Sequence, residues 1–414
     1  MKKTVTFLFV LLMIASCAKD EPAPTTTDDG AMGDSPILGN VVPCENGMAG
    51  DYPCNGFDLL GTLDLNELQA TAGNDIWGWT DPETGQEYAL MGLDNGTAFI
   101  AIPESGNPIY LGKLPTATTA SPWRDVKVYE NVAYIVAEAN GHGVQVFDLT
   151  KLRDVTGAPQ TFTEDGRYTG LGSAHNIVVN AASGFAYPVG TARDDAFNGG
   201  VHFLDLQNPL VPVAAGGWGA NGYTHDAQVI SYSGPDQDHA GAELFIGANE
   251  DQVVVVDITN KANPVSLSTL PYPNIGYTHQ GWFTEDQRYF ILGDELDEVN
   301  DGFNTRTLVF DMTDLDNPVL HHTYLGPTKA IDHNGYVLGD RFYLANYTAG
   351  VRLLDISGIV NGIVEEIGHF DTFPNNDNTQ FDGAWSVYPF FESGHIVVSD
   401  INSGFFVIKK SNGS

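Results

Sequence analysis

Seven segments built on one plan run through this chain at a spacing of about 50 residues. A unit this short cannot bury its own apolar face, so neighbouring copies must stack, in a closed propeller or an open solenoid. Each copy opens with a polar pair and a short strand. A second strand ends in small or acidic residues, a third usually ends in Asp, and a fourth begins near Asn-Pro. The third strands are the clearest: Val144–Asp148, Val201–Asp205, Val253–Asp257, Thr307–Asp311 and Val351–Asp355, with Thr97–Ala101 and Phe405–Lys409 lacking the final Asp. Asn107-Pro108, Asn208-Pro209, Asn263-Pro264 and Asn317-Pro318 mark turns, because Pro can start a strand but not sit inside a central one. Short Val/Ile/Tyr/Phe runs punctuated by 46 Gly and 22 Pro, with no long 3.6-residue period, make the fold all-β.

Little follows Phe405–Lys409, so the fourth strand of the seventh copy is expected from elsewhere. Asp58-Leu59-Leu60-Gly61-Thr62-Leu63 reads like Pro108–Leu114 and precedes the first copy. The expectation is a seven-bladed β-propeller over residues 43–414, closed by this N-terminal strand, which removes the open sheet edges.

The N-terminus reads differently. Met1-Lys2-Lys3 and an apolar run from Val5 to Ala15 form a secretory signal, residues 1–16, too short to span a bilayer. It ends in Ile14-Ala15-Ser16-Cys17, which resembles a lipobox, so Cys17 is expected to carry lipid. Lys19-Asp20-Glu21 looks like the tag that sends some Gram-negative lipoproteins to the outer surface. Residues 17–42, rich in Pro, Thr, Asp and Gly, read as the lipid anchor and a flexible tether. The expected location is the outer membrane, exposed at the cell surface, with the lipid as the only membrane contact. Of three cysteines, Cys44 and Cys54 then remain as an even pair in an oxidising compartment, which implies a disulfide pinning an irregular N-terminal segment. A net charge of −35 repels phosphate backbones and excludes nucleic acid as a partner.

The repeat resembles the LVIVD repeat, and over about residues 43–410 the chain resembles the choice-of-anchor B proteins. The resemblance rests on Cys44–Gly50 through Cys54, Glu138 with His142–Leu149, Ala174-His175-Asn176, Tyr223–Gln228, Gly234-Pro235-Asp236, Tyr277–Trp282, Gly293–Glu298, Asp332-His333-Asn334, and Asn346-Tyr347 with Gly350-Val351-Arg352. It implies a surface propeller and no defined activity.

Aligned, the blade openings read Asn74-Asp75, Arg124-Asp125, His175-Asn176, His225-Asp226, His279-Gln280, His333-Asn334 and Asp382-Gly383. Four consecutive histidines should therefore surround half the channel mouth. Imidazole suits Zn, Cu or Fe. The turns between second and third strands bring Glu138, His142, Glu250, Asp251, Asp294, Glu295, Asp297, Glu298 and Asn346 to the same end. His175, His225, His279 and His333 are thus candidate metal ligands, with Glu138, His142, Arg124, Asp226 and Glu295 as supporting or ligand-binding groups. The competing reading is that polar pairs on the first strands bond blade to blade, which is the main role expected for Asp125, Asn176, Asp226 and Asn334. Arg124 cannot ligate a metal; it is a site for an anionic group or a limit on the ring. Asp294–Glu298 with Asp301 could hold Ca²⁺, or be a solvated acidic loop. Trp77, Trp79, Trp123, Trp282 and Trp385 stand near blade openings as packing or as a ligand platform.

No Gly-rich phosphate loop and no Gly-x-Ser-x-Gly elbow occurs. Three functions fit: a surface binding module for an extracellular ligand or protein, a metal-dependent hydrolase or oxidoreductase using the channel histidines, and a Ca²⁺-stabilised structural protein. The binding module is favoured because the resemblance brings no reaction with it.

Overall fold

A seven-bladed β-propeller carries the chain, and the computed structural model describes residues 41–411 of it. The signal peptide, Cys17, Lys19-Asp20-Glu21 and nearly all of the tether lie outside the described residues. The innermost strands of blades one to seven are Gly73–Thr80, Arg124–Tyr129, Asn176–Asn180, Asp226–Ser231, Thr278–Phe283, Gly335–Leu338 and Ala384–Tyr388.

Middle strands such as Val253–Asp257 read as unbroken apolar runs because each blade is covered on both faces. The core is a series of layers between neighbouring blades. Leu90 and Phe99 of blade one pack on Ile135 and Phe147 of blade two, with the two phenyl rings stacked 4.5 Å apart. Tyr343 and Leu353 of blade six likewise meet Val398 and Phe406 of blade seven.

The recurring third-strand Asp has a local cause. Asp148, Asp205, Asp257, Asp311 and Asp355 each accept the backbone N–H two residues on, from Thr150, Gln207, Thr259, Thr313 and Ser357. These turns reverse the chain into the outer strand. Blade seven closes as expected: Phe57–Leu63 pairs antiparallel with Gly404–Lys410, placing Leu59 opposite Ile408. The first and last strands of the propeller ring thereby share one sheet.

Three local features depart from the sequence reading. The segment around the disulfide is a hairpin, Met48–Ala49 with Tyr52–Asn55, joined to the outer edge of blade six through Cys54 opposite Phe370. Blade one gains a parallel fifth strand, Gln160–Thr161, from the connection between the third and fourth strands of blade two. In blade seven the residues at the register of His279-Gln280 are Trp385-Ser386. Ser386 pairs with Ser399 as Gln280 pairs with Gly293, and Asp382-Gly383 lies before the strand. Both strands carry the same one-residue irregularity at their start, so the register of blade seven matches that of blade five and lies three residues beyond Asp382-Gly383.

Cys44 and Cys54 are disulfide-bonded, 10 residues apart. Closing so short a loop restrains the opened hairpin by about 2.7 kcal/mol. The Cys44→Ser/Cys54→Ser variant is expected to exchange the amide hydrogens of residues 41–55 about a hundredfold faster while leaving the blades protected. Unchanged exchange would place the hairpin's stability in its pairing with blade six instead.

Candidate metal centre at the channel mouth

The inner strands line the channel in rings, one residue per blade. The outermost ring is Asn74, Arg124, His175, His225, His279, His333 and Trp385. The four imidazoles form a continuous row, with ring centroids 4.0 Å apart for His175–His225, 4.4 Å for His225–His279 and 4.3 Å for His279–His333.

The next ring bonds blade to blade. Asn176 donates to Asp226 at 2.8 Å, Asp125 accepts the Ile177 N–H at 2.8 Å, and Asn334 donates to Ser386 and Asp75. Lys127, one strand step inward, donates to both Asp75 and Asp125. Burial raises Asp75 and Asp226 to about 7, although the Lys127 ammonium pulls both downward.

Glu295 projects from the turn after Tyr289–Asp294. Asp294 fixes that turn: its carboxylate accepts the N–H groups of Gly276 and Tyr277 and the Tyr272 hydroxyl, while Glu295 N–H donates to Tyr277. The carboxylate of Glu295 then lies 3.6 Å from His279 Nε2 and 3.7 Å from His333 Nε2. The Tyr347 hydroxyl donates to its Oε1 at 2.7 Å. Tyr347 is buried and holds a φ of 37°, a strained value for an aromatic residue, and its ring rests against His333 at 4.6 Å.

Donor atoms of His225, His279 and Glu295 converge, all within 4.8 Å of one another, a spacing that fits a single bound ion. Among the described residues this is the one trio of His, Cys, Asp or Glu side chains that does so. The Nδ1 atoms of His225 and His279 are buried and meet no hydrogen-bond partner among the described residues. Burial, then the neighbouring histidines, holds both imidazoles well below the ordinary histidine range. Burial likewise depresses His333 to about 4. Neutral imidazole is the form that binds metal. Burial raises Glu295, opposed by the Tyr347 hydrogen bond.

The other expected residues are placed as follows. His175 bonds through Nδ1 to Glu138 at 2.6 Å, at the solvent side of the row. His333 bonds through Nδ1 to the Trp385 carbonyl, also at 2.6 Å. So two of the four histidines join Glu295, and the outer two are engaged elsewhere. Arg124 is buried, bonded to the Leu93 carbonyl and to His142 Nε2, with Nη2 unpartnered among the described residues. Burial lowers His142 to about 4. Asp226 belongs to the bonds between blades.

The acidic run is not a solvated loop. Asp294, Asp297, Glu298 and Asp332 are buried, and Arg306 is the cation among them, bonded to Asp297. Asp301 is exposed and the carboxylates do not converge on a common point. Tyr347 and Trp385 are not legible as site residues in the sequence: Trp385 emerges from the ring-by-ring register, and Tyr347 from its contacts with Glu295 and His333.

No protein-family model and no curated protein matches the chain. Solved structures do. A putative 6-phosphogluconolactonase from Bacteroides fragilis NCTC 9343 superposes with TM-score 0.53 at 13% identity, over 80% of this chain and 88% of that one. A Lactobacillus plantarum protein gives 0.53 at 13%, over 78% and 87%. Kuenenia stuttgartiensis hydrazine synthase gives 0.55 at 10%, over 79% and 93%. At such identities the likeness is one of fold.

Proposed function

We propose that this protein is a surface-displayed propeller that holds one transition metal at its channel mouth on His225, His279 and Glu295, and binds an extracellular ligand there. The observation that carries the reading is the convergence of these three donor sets beside unpartnered, neutral imidazoles. Two imidazoles and a carboxylate suit Zn, Fe or Cu, and three protein ligands leave coordination positions open for a ligand. Arg124, on the same ring with a free Nη2, favours an anionic group on that ligand. Surface display rests on the lipobox reading of Cys17 and on the likeness to choice-of-anchor B proteins.

A second reading, metal-dependent hydrolysis, is favoured by one specific observation. The His175–Glu138 pair stands beside His225 at the solvent side of the site, an imidazole oriented by a carboxylate as a general base would be.

Elemental analysis after chelator treatment and reloading with Zn(II), Cu(II) or Fe(II) tests the proposal. One equivalent per chain is expected; no uptake of any of the three would sink it. Tyr347→Phe removes the hydroxyl that orients Glu295 and is expected to weaken Zn(II) by about tenfold to a hundredfold, read by competition with a chromophoric chelator. Cys17→Ser is expected to move the protein from the membrane fraction to the soluble fraction; retention in the membrane would refute the lipid anchor.

A further inference from the structure

A second chamber lies at the other end of the inner strands. Three residues on from the histidine ring, about 10 Å along the strands, the equivalent ring is Trp77, Lys127, Val178, Gln228, Trp282, Tyr336 and Tyr388. All but Tyr336 line a cavity of about 340 Å³, together with Phe390, three further valines and Ala181 at the exposed rim. The volume is that of a small-molecule site.

Its walls are unlike the metal end. Trp77, Trp282, Tyr388 and Phe390 are each only partly buried. They brace one another in edge-on pairs, with Trp77–Tyr388 at 5.1 Å and Tyr388–Phe390 at 5.2 Å. Trp77 is held further by the Lys127 ammonium 4.7 Å from its ring centre. Lys127 is already neutralised by Asp75 and Asp125, so it brings no net positive charge to the chamber. Gln228 accepts the Phe283 N–H through Oε1 at 2.8 Å, and its amide NH₂ meets no partner among the described residues. The indole N–H groups of Trp77 and Trp282 are likewise uncommitted among the described residues.

We propose that this chamber binds a flat, uncharged aromatic molecule bearing a hydrogen-bond acceptor such as a carbonyl. Aromatic and valine walls favour a planar apolar body. The polar groups on offer are mainly donors, which selects an acceptor on the ligand and disfavours a sugar, whose hydroxyls need acceptors as well. A charged ligand would enter a chamber with no free counter-charge. The site is independent of the metal reading, because its residues share no side chain with His225, His279 or Glu295.

The test uses two probes of one shape on the full chain, 2-acetylnaphthalene and 2-ethylnaphthalene, followed by quenching of tryptophan fluorescence. Saturable binding of one molecule per chain is expected for both, with the ketone about fivefold tighter. Ala181→Trp fills the rim and should weaken both by tenfold or more, with the far-UV circular dichroism spectrum and the urea midpoint unchanged as the control for folding. Gln228→Glu keeps the acceptor for Phe283 N–H and removes the amide donor, and should reduce the preference for the ketone. Failure of both probes to saturate, or binding indifferent to Ala181→Trp, would overturn the proposal. A ketone preference untouched by Gln228→Glu would overturn the donor role of that residue.

Discussion

His279→Ala should reduce affinity for Zn(II) by about a hundredfold to a thousandfold, whereas His333→Ala should reduce it by no more than about tenfold. The contrast follows from where the nitrogens point. His279 has an unpartnered Nδ1 and an Nε2 3.6 Å from Glu295, and it belongs to the converging trio. His333 commits Nδ1 to the Trp385 carbonyl and stands outside the trio, supporting Glu295 from the side. Structural zinc sites with four ligands are worth about 10–16 kcal/mol, or about 3 kcal/mol per ligand, which sets the larger loss. An outer contact is worth far less. His225→Ala should behave like His279→Ala, and His175→Ala like His333→Ala. Cobalt(II) absorption gives the same order by an independent route. Equal losses at all four positions would mean that the ring of imidazoles, and not the trio with Glu295, is the ligand set.

The sequence made the ring visible because a repeat reports position directly. Once His175, His225, His279 and His333 stand at one place in successive copies, a closed propeller must bring them to one end of one channel. The same logic located Glu295, since turns between second and third strands share that end. Two things stayed hidden. Which ring nitrogen is free depends on contacts across blades, such as Trp385 O with His333 Nδ1, and these have no local signature. The seventh copy has an aromatic residue, Trp385, where the others have Asn, Arg or His, so the polar pair at Asp382, three residues earlier, is the one that the sequence aligns. The acidic run misled for a related reason. Asp294–Glu298 has the composition of an exposed loop, yet Asp294 is consumed by the N–H groups of Gly276 and Tyr277, and Asp297 by Arg306. Trp77 and Trp282 stand near the blade openings in the sequence, but their register puts them three residues deeper, in the far chamber.

That buried acid carries the second large effect. Glu298→Gln is expected to stabilise the protein by about 3 kcal/mol at pH 8 and to change little at pH 4. Glu298 is 2% exposed, and its Oε1 accepts the Arg306 N–H at 3.0 Å. Burial, then the neighbouring Asp332 and Asp297 carboxylates, raises Glu298 far above the ordinary glutamate range, so the folded protein keeps its proton at neutral pH. The unfolded chain releases that proton above about pH 4.5. Between that value and the raised folded value the folded state binds more protons, so stability falls as pH rises, by at most about 1.4 kcal/mol per pH unit for this one group. At pH 8 the ceiling is about 5 kcal/mol, and sharing of charge with Asp297 and Asp332 lowers it. Glutamine keeps the acceptor for Arg306 N–H and supplies a donor where the protonated acid had one, without titrating. Urea unfolding at pH 4, 6 and 8 should therefore show wild type and variant diverging as pH rises. The opposite sign, a variant weaker at pH 8 and a wild type strengthened by added Ca²⁺, would mean that a cation and not a proton neutralises this cluster.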